Sequence, residues 1–202
     1  MTDTEQRWLA AAQPVLAYAR QAGLPVDIVV QPTARPELSP LSMAYLGGRC
    51  KLVLTMRGNP KVEQHLDGMP PVLHPVLIEA MAAHELGHCW RHRQGAWQAL
   101  PSGFSATSPN EAAQAGKGAD AQRLEEGFAD LVGLAWTSSR HPAHYAAVHA
   151  WLMDEREGGH AGSAHDTQVW VRMAADASVF SRGTNLFEQA IPPWEAGLRD
   201  ND

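Results

Sequence analysis

The sequence predicts an α+β fold: an N-terminal helix and a small, mainly antiparallel sheet, followed by a mostly helical half. Three observations predict it. The chain begins with an amphipathic stretch, β-branched runs bounded by glycine and proline fill residues 26–56, and helical periodicity prevails from residue 72 onward. The 202 residues contain no repeat and no evident linker between folded units, so we expect one domain over residues 1–202.

The N-terminal part predicts one helix and three strands. Residues 4–22 carry apolar side chains on one side, and Thr2 with Glu5 has the spacing of a capping box. Residues 26–31 are rich in β-branched side chains and lie between prolines, which is typical of a strand. Residues 42–56 contain two apolar runs around a double glycine, which predicts a β-hairpin.

Residues 72–93 predict the helix on which the functional hypothesis rests. Apolar residues recur there at steps of three and four, and an H-E-x-x-H motif occupies positions 84–88. On a helix, His84 and His88 lie one turn apart and point the same way, so both imidazoles can reach one ion. Glu85 is placed beside them, where it can contact a water. A solvated helix face with two surface histidines is the alternative, but the apolar upstream segment and the neighbouring small residues argue against it.

The C-terminal half predicts four further helices after a long loop. Residues 95–119 are rich in Gly, Ala, Ser and Pro and form either a lid or a disordered segment. Residues 120–138 resume helical periodicity and place Glu126, Ala129, Asp130 and Gly133 on one face, which suits close packing against another helix. The remaining helices are expected at 142–156, 164–181 and 187–198, and Ser163 with Asp166 has capping-box spacing.

Composition excludes some functions and favours a location. A net charge of −6 and a pI near 5.9 without a basic stripe argue against nucleic-acid binding. The first residues are polar and acidic, unlike a signal peptide, and no apolar run approaches the length of a membrane span. The two cysteines, Cys50 and Cys89, are expected as free thiols, with Cys89 packed and not a ligand. These features predict a cytoplasmic protein.

A zinc ion in a hydrolytic site needs three protein ligands and one open position. The extended histidine pattern would require Gly at position 91 and His at 94, but Arg91 and Gln94 stand there. The other source is a carboxylate on a later helix, for which Glu126 fits. We favour Glu126 over Glu125 because an acid, Asp130, follows it by one turn and can accept the free N–H of a liganding histidine.

The combination of H-E-x-x-H at 84–88 with E-x-x-x-D at 126–130 resembles the gluzincins, the thermolysin-like metallopeptidases. The hairpin leading into the motif helix also looks like the core of the HtpX-type and CAAX-processing peptidases, whose membrane helices are lacking here. The resemblance implies a zincin-like fold, a bound Zn²⁺, hydrolysis of a peptide or protein substrate, and a sheet edge that aligns the substrate.

Related peptidases place a His-Pro-x-x-x-x-Arg segment downstream to stabilise the oxyanion. The nearest match here is His165 with Arg172, although the proline is missing and the arginine is one residue late. We predict His165 as a catalytic donor in the first turn of its helix, an exposed histidine being the alternative. Weaker candidates are Tyr145, His149 and His160. Three other histidines and one arginine are expected at the surface or rim: His92, His141, His144 and Arg156.

The resulting hypothesis is a zinc-dependent metallopeptidase with ligands His84, His88 and Glu126. Glu85 is expected to act as general base, and Asp130 to orient a ligand. A second hypothesis is a catalytically inactive, zinc-stabilised binding or regulatory module of the same fold, which would have no need of Glu85. A third is a regulatory or toxin-like protease with a single protein substrate, which differs only in its range of targets.

Overall fold

The computed structural model describes residues 1–102, 117–157 and 163–200. Its elements follow the predicted order, because an N-terminal helix and a three-stranded sheet precede a mostly helical remainder. Helix α1, Asp3–Gln21, begins with the predicted capping box: Thr2 Oγ1 accepts from the Glu5 N–H at 3.2 Å, and the Thr2 N–H donates to the Glu5 carboxylate at 2.7 Å. The α+β class is therefore confirmed.

The sheet consists of β1 (Val26–Val30), β2 (Leu41–Leu46) and β3 (Arg49–Leu54). Gly47 and Gly48 form the predicted hairpin turn with φ of 61° and 74°, values that suit a type I′ turn and favour glycine. The strand order is β1-β3-β2, so β3 is central and β2 lies at one edge.

The expectation of a mainly antiparallel sheet is wrong, because the sheet is mixed. β2 pairs with β3 antiparallel, but β1 pairs with β3 in parallel. Residues 31–40 lead from β1 to the opposite edge of the sheet, where β2 lies. The hairpin then places β3 between β1 and β2. This order puts the strand with three buried core residues, Cys50, Leu52 and Leu54, in the middle of the sheet.

Helix α2, Lys61–Gln64, is short, and a 3₁₀ turn at Pro71–Leu73 leads into α3, His74–Arg93. α3 carries the H-E-x-x-H motif, as predicted. It packs against α1 and β2 and also against the next helix, so it is buried on several sides.

The prediction of free thiols is wrong. Cys50 on β3 and Cys89 on α3 form a disulfide with their Cα atoms 5.7 Å apart. Both side chains are fully buried, where the hairpin and the motif helix pack together. Sequence alone gave no sign of this pairing, since 39 positions separate the two residues. The cytoplasmic location loses one of its supports, because disulfides persist mainly in oxidising compartments.

The later helices are α4 (Lys117–Arg140), α5 (Tyr145–Glu157), α6 (Gln168–Met173) and α7 (Leu186–Asp200). The helix expected at 164–181 is shorter than predicted, since α6 ends at Met173 and a separate 3₁₀ turn covers Ala177–Phe180. The Ser163 capping box does not form. The helix starts only after Thr167, whose hydroxyl donates to Asp130.

A fully buried tryptophan joins α4, α6 and α7. A Cβ added at Gly127 would lie 2.4 Å from the Trp170 ring, and one added at Gly197 would lie 2.3 Å from Trp170 Nε1. The same indole N–H donates to the Trp194 carbonyl at 2.9 Å. The indole therefore fills a slot whose two walls are glycine backbone.

The described residues share one hydrophobic core. No helix within the described ranges is long and apolar enough to cross a membrane. Most of the predicted loop or lid at 95–119, and the candidate His160, lie outside the described residues.

Candidate metal centre

The centre lies between α3 and α4, which approach closely through small residues. A Cβ added at Gly87 would be 3.0 Å from Ala129 Cα, and one added at Gly133 would be 2.9 Å from the Ala80 carbonyl oxygen. Larger side chains at these glycines would push the helices apart. The small-residue face of α4 therefore packs against the motif helix, as its sequence predicts.

The three predicted ligands come together across this contact. His84 Nε2 lies 3.2 Å from His88 Nε2 and 3.2 Å from Glu126 Oε2, and His88 Nε2 lies 3.6 Å from Glu126 Oε1. Ligand atoms bound at 2.0–2.1 Å to a tetrahedral zinc ion are roughly 3.3–3.4 Å apart. The spacing of the nitrogen and oxygen atoms thus fits a single zinc-sized ion.

The hydrogen bonding of these groups also fits a cation. His84 Nδ1 lies 3.0 Å from Asp130 Oδ1, and a proton on Nδ1 leaves the lone pair of Nε2 directed at Glu126 and His88. Glu126 Oε2 is buried, and within the described ranges no donor of suitable geometry reaches it. A buried carboxylate oxygen left without a donor is costly, and a metal ion would satisfy it.

The pKa values of the two histidines are shifted in opposite directions. Burial opposes the charged form of His84, but the hydrogen bond to Asp130 and the Glu126 carboxylate 3.2 Å from Nε2 raise its pKa to about 10. Burial and the neighbouring His84 charge lower the pKa of His88 to about 3. Burial would raise the pKa of Glu126, but the imidazoles of His165 and His84 hold it far below its usual range. The two carboxylates therefore favour the protonated form of His84 when no cation is bound.

Glu85 faces the same cleft as the three candidate ligands. Burial raises the pKa of its carboxyl to about 8, the nearby His84 charge opposes this rise, and the backbone N–H of Met43 on β2 also contacts the group. A carboxyl whose pKa lies near neutrality can both accept and return a proton, which is the property that a general base needs.

Asp130 is fully buried and joins four donors. It accepts from His84 Nδ1, from Thr167 Oγ1 at 2.5 Å, and from two nitrogens of Arg156 at 2.8 and 2.5 Å. Burial opposes its charge, but Arg156 and His84 hold the pKa of Asp130 well below its usual range. It occupies the place predicted for it, behind a candidate ligand.

Two other candidates are Glu125, the alternative to Glu126 as ligand, and His165, the predicted donor to the oxyanion. Glu125 is fully buried and pairs with Arg91 at 2.9 Å, and it accepts the Gln98 N–H at 2.6 Å, so its carboxylate is engaged away from His84. His165 lies in the turn before α6, not in a helical first turn. Its Nδ1 is 3.5 Å from Glu126 Oε2, and its side chain is 58% exposed at the cleft.

Several other predicted positions have structural partners. Tyr145 donates to the Ala174 carbonyl, and His149 Nε2 lies 2.8 Å from the Val171 carbonyl oxygen. His141 contacts the Glu79 carboxylate at 2.9 Å, so it is not a free surface group. Arg172 is exposed and donates to Gln168, outside the cleft.

His92 is not directed at the metal centre, because its ring is stacked between Tyr45, with centroids 4.9 Å apart, and Trp97, at 4.0 Å. Trp97 in turn meets the His88 ring edge-on at 5.5 Å and lines the cleft. No periodicity marks Trp97, so its place at the cleft could not be predicted from the sequence. Its position follows from a buried pair, because Glu125 accepts the Gln98 N–H and Arg91 donates to the Ala99 carbonyl at 2.6 Å.

Arg156 was expected in a solvated charge run, and that expectation is wrong. Only 14% of its side chain is exposed, and its guanidinium pairs with Asp130 beside the candidate ligands. The sequence gives no local signal for this pairing, because Arg156 stands among the acids Asp154, Glu155 and Glu157.

The cleft is open and has a volume of about 880 Å³. Edge strand β2 forms part of its wall, with Leu41, Ser42 and Met43 among the lining residues. Apolar side chains from α3, α4 and α5 line the recess beside the candidate ligands: Met81, Leu134, Val148, Trp151 and Leu152. The arrangement can accept an extended chain next to a cation and a buried acid.

Comparison with protein-family models, with curated proteins and with solved structures gives no match. The resemblance to gluzincins therefore stays a prediction.

Proposed function

We propose that this protein is a zinc-dependent metallopeptidase of the gluzincin type, with a zincin-like fold. The observation that carries the proposal is the convergence of His84, His88 and Glu126, whose ligand atoms all lie within 4.8 Å of one another. Two nitrogens and one carboxylate match the donor set of hydrolytic zinc sites. The acid Glu85 in the same cleft adds the group that a purely structural metal site does not need.

The roles of the chain's own residues follow from their surroundings. A bound zinc ion supplies Lewis-acid activation of water and of a substrate carbonyl. Glu85 accepts a proton from the attacking water and returns it to the leaving amine. His165 donates from its exposed side to the developing oxyanion, and Asp130 fixes the orientation of His84.

The cleft supports a peptide as substrate. Among the described strands, β2 pairs with β3 alone, so backbone groups along its outer side can pair with an extended chain. An apolar recess lies next to the candidate ligands and can bury a large side chain of the substrate.

The test combines metal analysis with the Glu85→Gln variant. The purified protein is expected to bind one zinc ion and to hydrolyse unfolded, fluorescently quenched casein, and a chelator should abolish hydrolysis. Glu85→Gln should bind zinc as the wild type does but lose roughly 100-fold or more in turnover. Glu79→Gln is the matched control, because Glu79 lies on the same helix outside the cleft and pairs with Trp136 and His141.

Equal activity of the two variants would contradict the assignment of Glu85. A protein that binds zinc tightly but hydrolyses nothing would favour the other hypothesis, a zinc-stabilised binding or regulatory module.

A further inference from the structure

Arg156 lies in the last turn of α5, next to the candidate metal centre but outside the set of ligands. Its Nε donates to Asp130 Oδ2 at 2.8 Å, and its Nη2 donates to Oδ1 at 2.5 Å. Two parallel bonds from a planar guanidinium fix the plane of the carboxylate. Because the same Oδ1 accepts from His84 Nδ1, the orientation of His84 depends on Arg156 through one intervening residue.

The third nitrogen of the guanidinium reaches the predicted catalytic donor. Arg156 Nη1 lies 3.4 Å from His165 Nδ1. The same ring nitrogen lies 3.5 Å from Glu126 Oε2, so Arg156 and Glu126 both meet the His165 ring at Nδ1. His165 is otherwise 58% exposed, and these contacts restrain its ring.

We propose that Arg156 is a positioning residue, which holds Asp130 behind His84 and at the same time holds the ring of His165 at the edge of the cleft. The His165 part of this proposal rests on the proposed peptidase function, whereas the His84 part requires only metal binding.

The geometry explains why the residue is arginine. Nε and Nη2 are both used on one carboxylate, and Nη1 points to a different side chain, so one planar group spans two partners. A lysine ammonium keeps the charge but cannot make a two-point contact and reach His165 together. Lysine at this position therefore separates the effect of geometry from the effect of charge.

The experiment uses Arg156→Lys in the full chain, with Arg172→Lys as the matched control. Arg172 lies one residue beyond the position where the family pattern has an arginine, and it is exposed and donates to Gln168 outside the cleft. Circular dichroism establishes that each variant is folded. Zinc affinity, the ¹⁵N signals of His165 and the rate of casein hydrolysis are then measured.

We expect Arg156→Lys to bind zinc about tenfold more weakly, because losing a group that orients a metal ligand typically lowers metal affinity about 10- to 100-fold. The ¹⁵N signals of His165 in the metal-free protein, assigned by their loss in His165→Gln, should shift, because the ring loses its contact with Arg156 Nη1. Turnover should fall at least tenfold with little change in KM, because the affected groups act on the transition state. Arg172→Lys should match the wild type in all three measurements.

Should Arg156→Lys not fold, the double variant Arg156→Met with Asp130→Asn removes both charges together and keeps the side-chain volume. It should show the same change in the His165 signals.

Unchanged His165 signals and unchanged zinc affinity in a folded variant would overturn the proposal. If the wild type hydrolyses no casein, the peptidase function fails, but zinc affinity and the ring signals still decide the role of Arg156.

Discussion

Reduction of the Cys50–Cys89 disulfide should strongly destabilise the protein. The two residues are 39 positions apart, and the segment between them contains β3 from Lys51 onward and α3 up to His88. The chain-entropy relation for a loop of this length gives a stabilisation of about 4 kcal/mol. Domains are typically stable by only about 5–15 kcal/mol, so the loss is a large share of the total.

Urea unfolding measures this effect. With a denaturant dependence of about 2 kcal/mol per molar urea, 4 kcal/mol corresponds to a midpoint lower by about 2 M. The unfolding of chelator-treated protein is followed by tryptophan fluorescence, with and without a phosphine reductant. Chelation removes the stabilisation that a bound metal would add.

The double variant Cys50→Ala with Cys89→Ala is the matched control, because it has no disulfide to reduce. Its midpoint should not respond to the reductant and should lie close to that of the reduced wild type. The reasoning is refuted if the reductant moves both proteins equally. It is also refuted if alkylation of the unreduced, unfolded wild type labels both cysteines.

Three further predictions concern the metal centre. Asp130→Asn should weaken zinc binding 10- to 100-fold by calorimetry, because the group that orients His84 loses its charge. Zinc binding near pH 7 should release about one proton, because His84 has a pKa raised to about 10 and must be neutral to act as a ligand. Zinc affinity should therefore rise about tenfold per pH unit. Calorimetry in buffers of different ionisation enthalpy measures the number of protons released. Gly133→Ala should lower the stability by about 1–3 kcal/mol in urea unfolding and weaken zinc binding, because the added Cβ, 2.9 Å from the Ala80 carbonyl oxygen, forces α4 away from α3 and moves Glu126.

Local patterns explain the parts of the fold and site that could be predicted from the sequence. His84 and His88 share a helix face because they are four residues apart, and the same geometry relates Glu126 to Asp130. The capping box at Thr2 and the glycine turn of the hairpin are likewise decided within a few residues.

The parts that could not be predicted depend on contacts between distant residues. Arg156 and Asp130 are 26 positions apart, and nothing in the acidic run around Arg156 shows that α5 places its guanidinium against Asp130 on α4. The parallel pairing of β1 with β3 depends on where residues 31–40 lead the chain, which no periodicity encodes. The disulfide is of the same kind, because a pair of cysteines in a sequence carries no information about the distance between them.

The slot occupied by Trp170 constrains how this chain can change over evolutionary time. Gly127 directly follows the candidate ligand Glu126, and neither it nor Gly197 has room for a methyl group while the indole is present. A single substitution at either glycine would displace the ring and the backbone that carries Glu126. Positions 127, 170 and 197 should therefore covary among related sequences, with side chains appearing at the glycines only where the tryptophan is replaced by a smaller residue.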